Sequence, residues 1–183
     1  SNILSLNYKH SSVDEVRLHH VFEHFERPTA CALLASWYSW MKPGGILHIE
    51  VPDFSKTSKI VLNPFSSSKQ KGIALRHIFG SQEAHWAIHL EGYTQNSLSG
   101  FIKKFGFKIK KRKKNNWKGT YNIEVIAIKN NDNLNKSDFL RITTAYLSNF
   151  LVDGGESEKK LFSVWLRNYE NQIAKTYCKS ELY

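Results

Sequence analysis

The chain has 183 residues, 41% of them hydrophobic, with 11 Phe, 8 Tyr and 5 Trp, which is ample for one packed core and excludes a disordered or fibrous chain. Its formal charge is +10. No apolar run approaches the roughly 20 residues that span a bilayer, and no charged-then-apolar leader precedes residue 13, so the sequence reads as a soluble, cytoplasmic protein. Two cysteines in different kinds of segment, Cys31 and Cys178, do not make a disulfide framework, and Cys31 reads as a small core residue of a helix.

Residues 1–12 are short and polar. Val13 to Val21 is an apolar β-type run that ends in His19 and His20, with Glu23 and His24 just beyond. From about Thr29 to Met41, Leu33, Leu34, Trp37, Trp40 and Met41 recur at helical spacing, which predicts a helix with one buried face. Pro28 marks its start, and Pro43 and Gly44 its end. Gly45 to Val51 is a second apolar run that reads as a central strand covered on both faces and stopped by Pro52. Strand, crossover helix and strand in this order predict a parallel pair whose carboxyl ends share one sheet edge. Ligands of open α/β sheets sit at that edge, so His19, His20 and Asp53 are expected on a common rim.

Ser, Lys and Asn dominate residues 55–69, and a short helical pattern covers Ile73 to Phe79. His85 and His89 follow, four apart, and on a helix they would share a face. Thr94 is a candidate N-cap for a helix through Leu98, Phe101, Ile102 and Phe105, which Gly106 stops. Phe107 to Lys111 and Tyr121 to Lys129 read as two strands around a Lys/Asn/Gly-rich loop, the first of them at the sheet edge. Nine lysines and arginines fall between Lys103 and Lys118. Their alternation with Phe107 and Ile109 is the pattern of a wet edge, where lysine discourages stray pairing. An anionic substrate or partner is the second reading, and nucleic acid the least favoured.

Asn130 to Lys136 is a polar linker. Beyond it, Phe139, Leu140, Thr143, Tyr146, Leu147, Phe150 and Leu151 outline one amphipathic helix, Gly154 and Gly155 break it, and Leu161, Phe162, Trp165, Tyr169 and Ile173 outline a second. The pair is a helical hairpin whose apolar faces need cover from the domain or from another subunit. The expected division is an α/β domain over 1–130 and a helical appendage over 131–183.

Asn2, Val13-Asp14-Glu15-Val16, His20-Val21-Phe22-Glu23-His24, Met41-Lys42-Pro43-Gly44-Gly45 and Val51-Pro52-Asp53 stand in one order at one spacing. Together they resemble the class I S-adenosylmethionine-dependent methyltransferases of the small-molecule, polysaccharide-cluster type, in the C-terminal half of that fold and as far as about Lys129. The resemblance implies a partial Rossmann-like α/β sheet, with parallel strands and a closing antiparallel hairpin. It implies S-adenosylmethionine as cofactor, with Asn2 and Ile3 at the adenine and His19, His20 and Val21 along the methionine part. Phe79-Gly80-Ser81-Gln82 and His89-Leu90-Glu91-Gly92 are similar to acceptor-side segments of that subtype, which implies catalytic or acceptor-binding roles for His89, His85 and Glu23 and a small-molecule acceptor such as a sugar hydroxyl.

The Gly-rich turn with which such enzymes cradle the cofactor is not in the sequence, since Gly44-Gly45 enters a strand rather than a helix. The resemblance therefore implies a chain without the cofactor-binding half, weak in cofactor affinity and inactive alone. An exposed first strand would be covered by a second copy in a homo-oligomer or by a partner. The alternative is a non-enzymatic half-domain that acts by such pairing. Glu23 and His24 could serve as a general base pair or, as the resemblance to some quinone O-methyltransferases implies, help to hold a divalent cation; the histidines and glutamate after the first strand have the look of a metal cluster, but their spacing is loose and no cysteine contributes. A role for Glu23 and His24 in fixing the loop is the expectation, with no metal.

Overall fold

Val13–His19 forms strand β1, and Met41–Pro52 forms β2. They pair in parallel, with Leu18 opposite Ile49 and His19 opposite Glu50. The crossover between them is helix α1, Arg27–Trp40, with Pro28 in its first turn. The computed structural model describes residues 2–131 and 133–177; Cys178 lies outside them. The remaining elements are α2 (Phe54–Leu62), α3 (Ser68–Phe79), α4 (Gln95–Lys104), β3 (Phe107–Trp117), β4 (Thr120–Lys129), α5 (Lys136–Leu147) and α6 (Glu156–Thr176). The four strands lie in the order β1-β2-β4-β3, and β4 is antiparallel to both of its neighbours. The architecture is thus the α/β one expected, with a partial Rossmann-like sheet, a closing antiparallel hairpin and a C-terminal helical hairpin.

One face of the sheet carries the core. Leu47, Ile49 and Val51 of β2 and Ile123, Val125 and Ala127 of β4 are fully buried and belong to one cluster with Leu33, Leu34 and Trp37 of α1, Leu98 and Phe101 of α4, Phe139 of α5 and Ile173 of α6. Helix α1 is buried all round from Ala30 to Trp40, not on one face. Helix α6 lies against it, and the contact is sealed where Ser36 Oγ meets Thr176 Oγ1 at 2.8 Å and Trp40 Nε1 donates to Thr176 O at 2.8 Å. The chain itself thus buries Phe139, Leu147, Tyr169 and Ile173 of the hairpin, while Leu140 and Leu161 stay more than a third exposed. Cys31 is fully enclosed here, and burial pushes its thiol pKa well above the ordinary value.

The other face of β2 corrects the expectation of a strand covered on both sides. Ile46 is 40% exposed, and the residues that follow it on that face are polar and paired with each other. His48 Nε2 lies 2.7 Å from Glu124 Oε1, Lys113 Nζ lies 3.0 Å from Glu124 Oε2, and His19 Nδ1 lies 3.2 Å from Glu50 Oε2.

Three boundaries also move. Lys42-Pro43-Gly44-Gly45 is a bulged stretch inside β2, not a stop between helix and strand, because Met41 already pairs with Val13 and the register shifts before Ile46. β3 runs on to Trp117, through most of the expected loop. The hairpin is closed by Lys118 and Gly119 with φ of 49° and 89°, a turn with positive φ at both positions, whose twist matches that of the flanking strands. α2 has no counterpart in the sequence reading; its Ser/Lys-rich composition hides a helix that Asp53 caps by accepting from Lys56 N at 3.1 Å. Thr94 and Gly106 act as expected, Thr94 in a capping box with Ser97 and Gly106 at φ 86°.

Candidate active site

The carboxyl ends of β1 and β2 meet on one edge, and what they deliver there follows from backbone conformation. β1 ends at His19 because His20 adopts φ 52°, a left-handed conformation that is costly for a residue with a Cβ and that concentrates at functional sites. The His20 amide still donates to Glu50 O at 3.0 Å, so the strand end stays pinned as the chain turns. Phe22 is then buried against Phe25, Trp37, Tyr93 and Phe101. That anchor holds the 3-10 turn Phe22–His24 against the core and leaves the Glu23 side chain only 1% exposed.

A second segment closes over this turn. Leu90 N and Glu91 N both donate to Glu23 O, at 2.8 and 3.1 Å, and the His24 ring joins Ile88 O at 2.9 Å. The same segment is held to α3, since His89 N donates to Phe79 O at 3.3 Å and His89 Nδ1 joins His77 O at 3.1 Å. Gly80 permits this approach. It has φ 84° and bridges to Ile88, and a Cβ on it would lie 1.9 Å from Ala87 O.

The result is a small enclosed site. His20 Nδ1 lies 3.4 Å and His89 Nε2 lies 3.9 Å from Glu23 Oε1, and neither oxygen of Glu23 has a hydrogen-bond partner among the described residues. Glu23, His89 and Tyr93 help to line a cavity of about 10 Å³, roughly the room of one water or one ion. The Glu23 carboxylate raises the His20 pKa against the opposing effect of burial. Burial lowers the pKa values of His77 and His89, which keeps both rings neutral at pH 7. A carbonyl oxygen can only accept, so Nδ1 carries a proton in His24 and His89, and in His89, which burial holds neutral, the lone pair sits on Nε2. The site can therefore offer a base or ligand nitrogen beside a buried carboxylate.

The positions singled out from sequence are only partly brought together. His19 and His20 meet Glu50, at 3.2 and 3.8 Å, while His20 and His89 flank Glu23, and Val21 precedes the same turn. Asn2 and Ile3 belong to a separate 3-10 turn that Gln172 of α6 holds through Leu4 O at 2.9 Å, and the Asn2 side chain caps that turn by accepting from Leu4 N at 3.0 Å. His85 is exposed in the 3-10 turn His85–Ala87. No helix spans 85–89, so His85 and His89 do not share a helix face. Asp53 reaches the rim, but it is 2% exposed and engaged in capping α2 and in an ion pair with Lys114 at 3.3 Å. Sequence reasoning passed over Glu50 and His77. A lone glutamate in an otherwise apolar strand was a signal for Glu50, whereas His77 in a helix end gave none.

No family model and no curated protein matches the sequence. Among solved structures, the chain is similar to the 1,6-didemethyltoxoflavin-N1-methyltransferase of Burkholderia thailandensis, solved with bound 1,6-didemethyltoxoflavin and S-adenosylhomocysteine. The match has a TM-score of 0.51 and 12% identity, and covers 72% of this chain and 49% of that one. A SAM-dependent methyltransferase of Methanosarcina mazei is similar at a TM-score of 0.49 and 17% identity, over 72% of this chain and 66% of that one. At these identities the likeness is one of fold, and the first structure carries it. The chain spans about half the length of that relative.

Proposed function

We propose that this chain is the acceptor-side portion of a class I methyltransferase fold and serves S-adenosylmethionine-dependent methyl transfer to a small-molecule hydroxyl, a sugar hydroxyl being the first candidate. The observation that supports this reading most directly is the parallel β1–β2 pair, with its His-rich turn at the carboxyl edge and a second loop laced over it. A sulfonium donor supplies an activated methyl group. The protein has to align an acceptor oxygen and receive its proton. His89 is the group suited to that proton, being neutral through burial with its lone pair on Nε2 beside Glu23. In this reading Glu23 orients the charge of the site, His85 meets the acceptor from the exposed lip, and His19, His20 and Val21 lie along the donor's methionine part.

The described residues fit the cofactor in part. His19, His20 and Glu50 offer polar groups at the strand ends, but no glycine of the described chain forms a strand-to-helix turn there; Gly44 and Gly45 lie in the bulge at the opposite end of β2. The side-chain oxygen of Asn2, proposed at the adenine, already accepts a hydrogen bond from Leu4 N. We therefore expect these residues alone to hold the cofactor weakly and to need a complementary segment for turnover. Calorimetric titration with S-adenosylhomocysteine tests this point: an affinity weaker than micromolar is expected, and micromolar binding by this chain alone would overturn it.

A second reading rests on the sheet edge. β1 is the terminal strand of the described sheet, and an open strand edge is a template for pairing. A half-domain that acts by pairing with itself or a partner would use it. A stable monomer at all concentrations in sedimentation would remove that reading.

A further inference from the structure

We infer that the groove between α4 and the outer edge of β3 is a binding site for a small molecule that carries phosphate groups. The groove has a volume of about 570 Å³ and is lined by Ser99 and Lys103 of α4 and by Lys108, Lys110, Lys111 and Arg112 of β3, a size within the range of small-ligand sites. It lies at the opposite edge of the sheet from β1. It shares no residue with the His-rich rim and rests on nothing assigned to methyl transfer.

The charge of the groove is uncompensated. No Asp or Glu stands between Glu91 and Glu124. Lys113 and Lys114 are matched by Glu124 and Asp53, at 3.0 and 3.3 Å. By contrast, none of Lys103, Lys108, Lys110, Lys111 and Arg112 is paired with a carboxylate among the described residues. Lysine on a wet edge discourages stray pairing, which accounts for charge along β3 but not for its convergence with Ser99 and Lys103 of α4 on one groove. Cations gathered in this way repel one another, and an anion held between them turns that repulsion into attraction.

Two details fit the groove to an oxyanion. β3 carries an extra residue, Lys110, between Ile109 opposite Ala127 and Lys111 opposite Ile126. The bulge shifts the side-chain alternation by one, so Arg112 comes opposite Val125, on the face of the sheet that packs against Leu98 and Phe101 of α4. There its Nη1 donates to Asn96 Oδ1 at 3.4 Å, which brings to α4 the planar guanidinium that grips phosphate through two parallel N–H bonds. Ser99 stands three residues after Asn96 and four before Lys103, on their face of the helix. It is 4% exposed, and its hydroxyl has no hydrogen-bond partner among the described residues. A buried hydroxyl left unpaired is costly, and a phosphate oxygen would accept from it. The groove offers no platform for base stacking: Phe107 is 3% exposed and packs on Tyr38, and the exposed Trp117 ends β3 at the hairpin turn. Single-stranded nucleic acid binds through such platforms, so a small phosphate-bearing molecule is the better fit.

The test is calorimetric titration of the full chain with pyrophosphate at physiological ionic strength. One molecule should bind per chain. Lys103→Gln and Arg112→Gln should each weaken binding at least about tenfold, the scale of a lost charge-assisted hydrogen bond. Lys69→Gln in α3, which removes the same charge from a distant surface, should leave the affinity unchanged. Ser99→Ala should weaken binding several-fold and unfold at the parent's temperature or higher, because the hydroxyl it removes has no partner. Pyrophosphate should raise the unfolding temperature of the parent, and that of Arg112→Gln much less. Absence of saturable binding, equal losses in Lys69→Gln and Arg112→Gln, or full affinity in Ser99→Ala would overturn the site and leave the lysines as a solvated edge. An oligothymidylate that binds this edge while pyrophosphate does not would also overturn it, in favour of a nucleic-acid surface.

Discussion

Gly80→Ala probes the hinge on which the site depends. Gly80 has φ 84° and ψ 176°, a region that is essentially glycine-only and costs of order 1–3 kcal/mol for other residues. An alanine Cβ would also lie 1.9 Å from Ala87 O, 2.9 Å from Ala87 C and 3.1 Å from His89 N. All three are backbone atoms, so no side-chain rotation relieves the overlap. Ala87 and His89 must move, which breaks the Gly80–Ile88 bridge and the 3.3 Å bond from His89 N to Phe79 O, a further roughly 1 kcal/mol for each hydrogen bond lost. The expected loss is about 3–5 kcal/mol. Gly44→Ala is the control, because Gly44 has φ 75° but nothing within 4 Å of a built Cβ, and only the left-handed penalty of about 1–2 kcal/mol applies. Urea unfolding of the two variants measures the difference, and amide exchange at His89 to Glu91 tells whether the loop opens. Equal losses for Gly80→Ala and Gly44→Ala would refute the close approach that shapes the site.

Phe22→Ala removes a fully buried ring that touches Phe25, Trp37, Tyr93 and Phe101 and should cost about 3–5 kcal/mol in a denaturation curve; a loss under 1 kcal/mol would show that the turn is not anchored there. Burial tends to raise the Glu124 pKa, but Lys113 and His48 more than reverse it, so it lies below its ordinary 4.5. Its contribution is therefore complete above the unfolded value and lost as pH falls through the folded one. Lys113→Met should cost under about 1 kcal/mol at pH 7, since Lys113 is partly exposed, and less at pH 4; a gap that does not shrink in acid would contradict the pairing. Lys118→Gly should stabilise the β3–β4 hairpin by up to about 1 kcal/mol by relieving positive φ, less about 0.5 kcal/mol for the ring contact with Trp117 at 4.8 Å. A net loss of stability would argue against the positive-φ turn.

Much of the fold was legible because it rests on local periodicity. The β-type run of β1, the Leu33–Trp37 helical spacing and the apolar run of β2 can satisfy chain connectivity only as a parallel crossover, and Thr94 and Gly106 mark their helix by capping chemistry that any context preserves. The all-round burial of α1 was not legible, because it depends on α6, more than a hundred positions away, meeting Ser36 and Trp40 through Thr176. The length of β3 was hidden by a run of lysines that reads as loop and is extended only because Lys118 and Gly119 close a tight turn. The site was half legible. His19, His20 and Glu23 are neighbours in sequence, but His24 meets the second loop through a bond between residues 64 positions apart, and the four-residue spacing of His85 and His89, which would put them on one face of a helix, falls where no helix forms. What unites Glu23, His24 and His89 is the pair of amides from Leu90 and Glu91 on Glu23 O, a contact that no periodicity encodes.

The most direct measurement is side-chain NMR of the histidines during titration with S-adenosylhomocysteine to millimolar concentration. Saturable shifts at His19 and His20, with His10 unmoved, are predicted for a donor site at the β1–β2 carboxyl edge. Shifts confined to the β3–β4 hairpin, or no shifts at any histidine of that edge, would contradict the account.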